Sequence, residues 1–461
     1  MNMQEKMVSA LKKQRIAIKR EGNPTAETRI DRIRRAINLL QTNGDMLCDA
    51  MSTDFGHRST HQSRMTDIAA AVLPLKHAKK NLHRWMKREK RSTFPFSFLG
   101  ARGEIQYQPL GVVGVITPWN FPVQLTFSPL AGIFAAGNRI MLKPSEYTPC
   151  TSELIQKLIK SNYDEEEVAV FLGGTEVGNL FSSLPFDHLL FTGSTNVAKK
   201  IMRAAAENLV PLTLELGGKS PVIIGKNANI KQAARSIMAG KTLNAGQICL
   251  APDYIFIQET EKENFLKASR ECITKMYPTL RSNPDYTSII NNDHYERLNG
   301  YVEEARSAGF EVIELNSANE EFNNQPHHRI PPTLIINPSD DLKVMQDEIF
   351  GPILPIKTYE HIAESIEYIN NRARPLGLHY FGNSKAECGT VLRETISGGV
   401  TVNDVIMHVT QEELPFGGVG ASGMGVYHGY DGFKTFSHGK SIYHQSQLLA
   451  KLVRLLNPPY E

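Results

Sequence analysis

Five cysteines in 461 residues are too few, too far apart and uneven in number to staple a fold. Cys48, Cys150, Cys249, Cys272 and Cys388 imply reduced thiols and a cytoplasmic compartment. CxxC and HExxH are absent, so no metal site is expected. Long uncharged apolar runs are missing too. None reaches the roughly 18 residues of a membrane span, and the N-terminal MNMQEKMVSALKKQRIAIKREG mixes charges where a signal peptide needs an apolar stretch. A net charge of +3 excludes a strong pull toward nucleic acid or anionic membrane. The most basic run, MKREKR at 86–91, reads as a solvated helix end. Internal repeats and low-complexity linkers are also lacking. What remains is a globular composition, 41% hydrophobic with 34 Gly and 25 Pro, long enough for two or three domains.

From residue 111 the pattern becomes rhythmic. GVVGVI (111–116), RIMLK (139–143), VAVFL (168–172), HLLFTG (188–193) and PLTLEL (211–216) are continuous apolar runs, as strands buried on both faces require. Helical patterns such as TSELIQKLIKS (151–161) and STNVAKKIMRAAAENL (194–209) separate them. The fold class is therefore α/β, an open doubly wound parallel sheet whose strand ends are the place for a nucleotide. A second α/β region is expected from YIFI (254–257), LIIN (334–337) and VTVN (400–403), after an N-terminal 85 residues that read as helices. The single G-x-G-x-x-G, GVGASG at 418–423, follows PFG and precedes no suitable helix, so it reads as a loop with several positive-φ positions. GVITPWNFP and FTGSTNVAKK, each directly after a strand, are better phosphate candidates.

One cysteine stands in unusual company. LNAGQICLAP (243–252) places Cys249 among small residues at the end of a helical pattern. A nucleophilic thiol needs a route to its thiolate, donors for the oxyanion it creates and a group that releases the thioester. Taken singly, such a cysteine reads as a small buried hydrophobe. In LELGGKSP (214–221), however, Glu215 ends an apolar strand, where a carboxylate is costly unless solvated or used.

PWNFP (118–122), KPSE (143–146), FTGST (191–195), LELGGKSP (214–221), GQICLAPDY (246–254), EIFGP (348–352) and LPFGGVGASGMG (414–425) stand in one order. In that order the chain resembles the NAD(P)-dependent aldehyde dehydrogenase superfamily. APDY and YHGYDGFKTFSH are similar to its class 3 branch, and within it DFGHRSTHQSRMTDIAAAVLPLKHAKKNLHRWMK and RAAAENLVPLTLELGGKSP most resemble coniferyl aldehyde dehydrogenases. The resemblance implies that Cys249 attacks the aldehyde, that Asn120 donates to the oxyanion and that Glu215 activates the hydrolytic water. Plainer roles stay open, Asn120 as a turn residue and Glu215 as an ion-pair partner.

For the cofactor, the resemblance implies Lys143 and Glu146 at the adenosine ribose, Thr192, Gly193 and Ser194 at the pyrophosphate turn, and Glu348 with Phe350 at the nicotinamide ribose. Thr117, Trp119 and Leu216 join these contacts by position. Glu146 favours NAD over NADP, since a carboxylate on the ribose 2′-OH repels a 2′-phosphate, although the branch accepts both. Phe121, Met407, His408 and Phe416 are expected in the substrate tunnel. Three positions depart from the family pattern: Ala198 for Gly, Ile248 for Thr, and His379 for Tyr or Ala. The implied activity is oxidation of an aromatic or medium-chain aldehyde. A CoA-acylating relative, or a silent binding protein on the same scaffold, is the alternative. The resemblance further implies a cofactor domain at 1–90 and 110–217, a catalytic domain at 218–425, and an oligomerisation element at 91–109 and 426–461 suited to a homodimer.

Overall fold

Continuous hydrophobicity between 111 and 216 translates into five parallel strands with hardly an exposed side chain. In the computed structural model, which describes residues 2–322, 325, 327–454 and 457–458, they are Val112–Ile116, Arg139–Lys143, Val168–Val170, His188–Thr192 and Leu212–Glu215. Across the sheet they lie in the order fifth, fourth, first, second, third, and the two-residue strand Gly423–Met424 adds antiparallel to the fifth. The order in which successive strands are laid down reverses between Val112–Ile116 and its parallel neighbour His188–Thr192. Ligands of open α/β sheets sit at such a switch point, beyond the carboxyl ends of the strands. The residues just beyond those two ends are Thr117–Asn120 and Gly193–Ser194.

The crossover helices are Gln124–Ala136, Pro149–Asn162, Thr175–Ser182 and Thr195–Ala206. Gln124–Ala136 is buried almost throughout, because Ala26–Thr42, Ala70–Trp85 and Gly429–Thr435 pack over it. The N-terminal region is helical as expected, except that Arg64–Ala69 widens into a π-type turn. The basic run at 86–91 differs from its reading. The helix ends at Trp85, and Glu89–Arg91 is a short strand, since it finds a partner in Arg102–Pro109.

A second sheet has seven strands in the order Val312–Glu314, Thr333–Ile336, Ile353–Tyr359, Tyr254–Gln258, Pro221–Ile224, Gly377–Phe381 and Gly399–Val402, parallel except for the first. Its three sequence-expected strands are present, and the remaining four are added by tertiary pairing. A third, antiparallel sheet joins Glu89–Arg91, Arg102–Pro109 and Ser437–His444. Beyond it the tail forms the helix Gln447–Val453, while 455–456 and 459–461 lie outside the described residues. All five cysteines are free. Among the described residues no helix is long and apolar enough to cross a membrane.

Candidate active site

The cysteine loop is built by a strained turn. After the helix Ile230–Thr242, Asn244, Ala245 and Gly246 all take left-handed backbone, with φ of 49°, 52° and 75°. An alanine pays a steric cost there that is usually tolerated only at a functional site. Gly246 is obligatory, because a Cβ would stand 2.3 Å from the carbonyl oxygen of Gly351. Gln247 locks the turn from inside: its Nε2 donates to Asn244 O (2.9 Å) and Ser288 O (3.1 Å), and its Oε1 accepts from Ile290 N (3.0 Å).

Cys249 follows, half-buried, against an apolar cluster that includes Phe121, Ile248, Phe416 and Tyr427. Burial pushes its thiol up to about 12, and the charges of Glu348 and Glu215 push the same way, while the backbone N–H groups of Cys249 and Leu250 oppose them. The resting sulfur is therefore a protonated thiol that needs a base or an incoming positive charge to become a nucleophile.

Glu215 ends its strand opposite Thr192 on one side and Gly423 on the other. Both carboxylate oxygens are buried without a hydrogen-bond partner, and burial raises the carboxyl well above its ordinary range. An unpartnered buried carboxyl is expensive, which makes Glu215 a candidate for a chemical role. The GVGASG run supports this strand end. Gly420 and Gly423 have φ of 66° and 143°, and Ser422 O accepts from Leu216 N at 3.1 Å.

Asn120 reaches the cysteine loop from the first strand's turn. Its Nδ2 donates to Gln247 O at 3.1 Å, and an amide has a second N–H to offer an oxyanion. Its carbonyl accepts from Asn244 Nδ2 at 3.0 Å. Thr117 is fixed beside it by its hydroxyl contact with Thr126 (3.1 Å). Trp119 packs on Phe350 with ring centres 5.4 Å apart, which joins two of the expected cofactor contacts.

The remaining cofactor candidates lie at or just beyond the carboxyl ends of strands, or against the turn that follows one. Lys143 and Glu146 pair at 2.6 Å beyond the second strand. Ser194 caps the helix Thr195–Ala206, leaving free N–H groups and a dipole suited to pyrophosphate. Glu348 lies over Gly217, where a Cβ would fall 2.0 Å from its Oε1. That oxygen is buried and unpartnered, and burial with Asp253 nearby lifts the carboxyl to about 7. An orphaned acceptor and a cradle that a methyl would fill fit a ribose hydroxyl. Ala198 is buried in the helix–sheet core, so its methyl packs against the sheet.

Of the tunnel candidates, Phe121 and Phe416 are buried near Cys249. His408 stands 6.1 Å from the Phe416 ring, and its Nδ1 meets Thr401 Oγ1 at 2.7 Å. Met407 is 46% exposed and starts the short turn Met407–Thr410 after Ile406, whose φ is 69°. His379 lies in the core, its Nε2 donating to Leu250 O at 3.0 Å, directly after Cys249.

Sequence reasoning overlooked several residues. Tyr427 is buried where the charges of Glu215, Cys249 and Glu412 all reach its hydroxyl. His428 lies tilted against Phe416, ring centres 4.9 Å apart, with both ring nitrogens buried and unpartnered, and Glu412 Oε2 is likewise unpartnered. Lys219 and Asp253 hold the Glu348–Phe350 segment. Lys219 Nζ pairs with Asp253 and donates to Val344 O (2.9 Å) and Asp347 O (2.8 Å), while Asp253 accepts from Ile349 N (2.9 Å). The motifs LELGGKSP and APDY contain both residues, which was the available signal.

The aldehyde dehydrogenase family profile matches residues 2–442. The chain is similar to a probable coniferyl aldehyde dehydrogenase of Caulobacter vibrioides, 54% identical over 98% of this chain and 94% of the relative. It is 51% identical to a coniferyl aldehyde dehydrogenase of Pseudomonas sp., over 96% of this chain and 91% of the relative. A solved structure of Staphylococcus aureus AldH in its substrate-bound state superimposes with a TM-score of 0.90 at 35% identity, covering 98% of this chain and 99% of that one.

Proposed function

Because the chain belongs to the aldehyde dehydrogenase family and is an aldehyde-oxidising oxidoreductase, we propose that Cys249, Glu215 and Asn120 carry out that oxidation. The Cys249 sulfur, once deprotonated, forms a bond to the carbonyl carbon. Asn120 Nδ2 and the Cys249 backbone N–H receive the oxyanion. The nicotinamide cofactor, when bound, supplies the hydride acceptor. Loss of hydride from the carbon leaves a thioester on Cys249. Glu215 takes a proton from water, the hydroxide adds to the thioester, and the sulfur leaves to give the carboxylate.

The observation that carries this reading is Glu215, a buried carboxyl with neither oxygen partnered whose charge reaches the Cys249 thiol. It argues against a CoA-acylating enzyme, which needs no hydrolytic base, and against a silent scaffold, which needs no unpartnered carboxyl.

The substrate is an aromatic aldehyde of coniferyl type. Phe416, Phe121 and Tyr427 supply apolar and aromatic walls, and the unpartnered nitrogens of His428 with Glu412 Oε2 supply hydrogen-bonding capacity for a phenolic ring. Glu146 supports NAD as the preferred cofactor. The exposed rings of Phe94, Phe96 and Phe98 support a homodimer built through the third sheet, and free cysteines are consistent with a cytoplasmic enzyme. We assign 1–90 and 110–217 to cofactor binding, 218–425 to catalysis, and 91–109 with 426–461 to assembly.

NADH formation with coniferyl aldehyde, benzaldehyde, hexanal and decanal tests this reading, comparing the parent with Cys249→Ser. The serine variant is expected to lose at least about 10³-fold in kcat, and parental turnover by it would overturn the assignment.

A further inference from the structure

A fully buried ion pair lies beneath the Asn120 turn, and no step above uses it. Arg58 and Asp67 side chains are each 0% exposed and meet at 2.6 Å. Arg58 Nη1 also donates to the Asn120 carbonyl at 2.9 Å. Its guanidinium lies against the rings of Phe55 and Phe121, 4.9 and 5.1 Å from their centres. Asp67 Oδ1 accepts from the backbone N–H groups of Val123 and Gln124, both at 3.1 Å. Pro122 has no N–H to offer. The stretch from Asn120 to Gln124 is thus gripped by two charged side chains, Arg58 from the loop before Thr60 and Asp67 from the π-type turn.

Stability is a weak reason for such a pair, since well-packed apolar replacements of buried ion pairs are often neutral or stabilising. What Arg58 offers is geometry. A planar guanidinium directs donors at Asp67 and at the Asn120 carbonyl together, which an apolar side chain cannot do and a lysine does less rigidly. Asp67 itself sits in the π-type turn Arg64–Ala69, a local widening frequent at functional sites. The same Asn120 carbonyl also accepts from Asn244 of the cysteine loop, and Asn244 Nδ2 reaches Gln247 O at 3.2 Å.

We propose that Arg58, oriented by Asp67, is a positioning residue for the oxyanion site: it fixes the Asn120 backbone so that the side-chain amide keeps its aim at the aldehyde oxygen. The proposal rests on the oxyanion role given to Asn120 above. Freed of Arg58, the Asn120 peptide keeps only Asn244 as a carbonyl partner, and displacements near 1 Å at a reacting centre cost about 10² in rate.

The test is a double-mutant cycle on kcat/KM for the aldehyde, with NAD⁺ affinity measured by calorimetry and thermal midpoints for every variant. N120A is expected to lose on the order of 10²–10³, and R58M about 10- to 100-fold. R58K should recover part of that loss. The double variant R58M/N120A should be no more than about threefold worse than N120A, because the group being positioned is gone. NAD⁺ affinity should stay at the parental value throughout, a readout that general unfolding would move. Losses that multiply in the double variant would overturn the proposal. The pair R58Q/D67N removes both charges without stranding either. It guards against misfolding: it should melt near the parent and still lose rate, and parental kcat/KM in it overturns the proposal. N120A at the parental rate would instead remove the oxyanion assignment, and this inference with it.

Discussion

Asn120 Nδ2 donates to the carbonyl of Gln247 across 3.1 Å, two residues before Cys249. That bond ties the turn after the first strand of one sheet to the loop that enters the other. A shift of either sheet moves the Asn120 amide relative to the sulfur.

In the proposed mechanism Glu215 enters only after the thioester exists. In Glu215→Gln, acylation should proceed and deacylation should stall. Rapid mixing with saturating NAD⁺ is expected to show a burst near one NADH per site, followed by steady turnover about 10²–10⁴-fold below the parent. Parental steady turnover with no burst would assign the water-activating role to another group.

Glu348 links stability to pH. Its carboxyl lies near 7 in the fold against an ordinary 4.5, so the folded state disfavours the ion. A raised carboxyl weakens the fold progressively as pH climbs from about 4.5 to about 7, and the penalty is constant above that. Glu348→Gln, without cofactor, should therefore raise the thermal midpoint by several degrees at pH 8, from a relief on the order of 3 kcal/mol. At pH 4.5 the two proteins should melt together. An equal gain at both pH values would mean that the effect is packing rather than ionisation.

Cofactor choice should follow Glu146. Replacing it by Gln removes the charge that repels a 2′-phosphate while keeping length. KM for NADP⁺ is expected to fall about tenfold relative to that for NAD⁺. Steady-state kinetics with both cofactors reads the ratio directly, and an unchanged ratio would clear Glu146 of any part in selection.

Assembly should depend on the aromatic loop of the third sheet. Phe94 and Phe98 are 71% and 81% exposed, their rings 5.7 Å apart edge to face. The variant F94D/F98D should elute as a monomer where the parent is a dimer, by chromatography with light scattering. A parent that is already monomeric would dismiss this surface as an interface.

Much of this protein was determined by sequence alone. Continuous apolar runs specify strands buried on both faces, because a residue's transfer from water depends on its own chemistry and its nearest neighbours in the chain. The same locality exposed Glu215 as a charge at the end of an apolar strand and set Cys249 in a turn of small residues. Basic residues at 86–91 misled for the same reason: a strand's partner, here Arg102–Pro109, leaves no mark on the strand itself. Only the tertiary structure decided which groups meet. Arg58 and Asn120 are 62 residues apart, Asp253 and Ile349 are 96 apart, and His428 faces Phe416 through loop packing. Hydrogen bonds and ring contacts across such separations depend on how two sheets dock, and docking is settled by the sum of many weak contacts that no local pattern records.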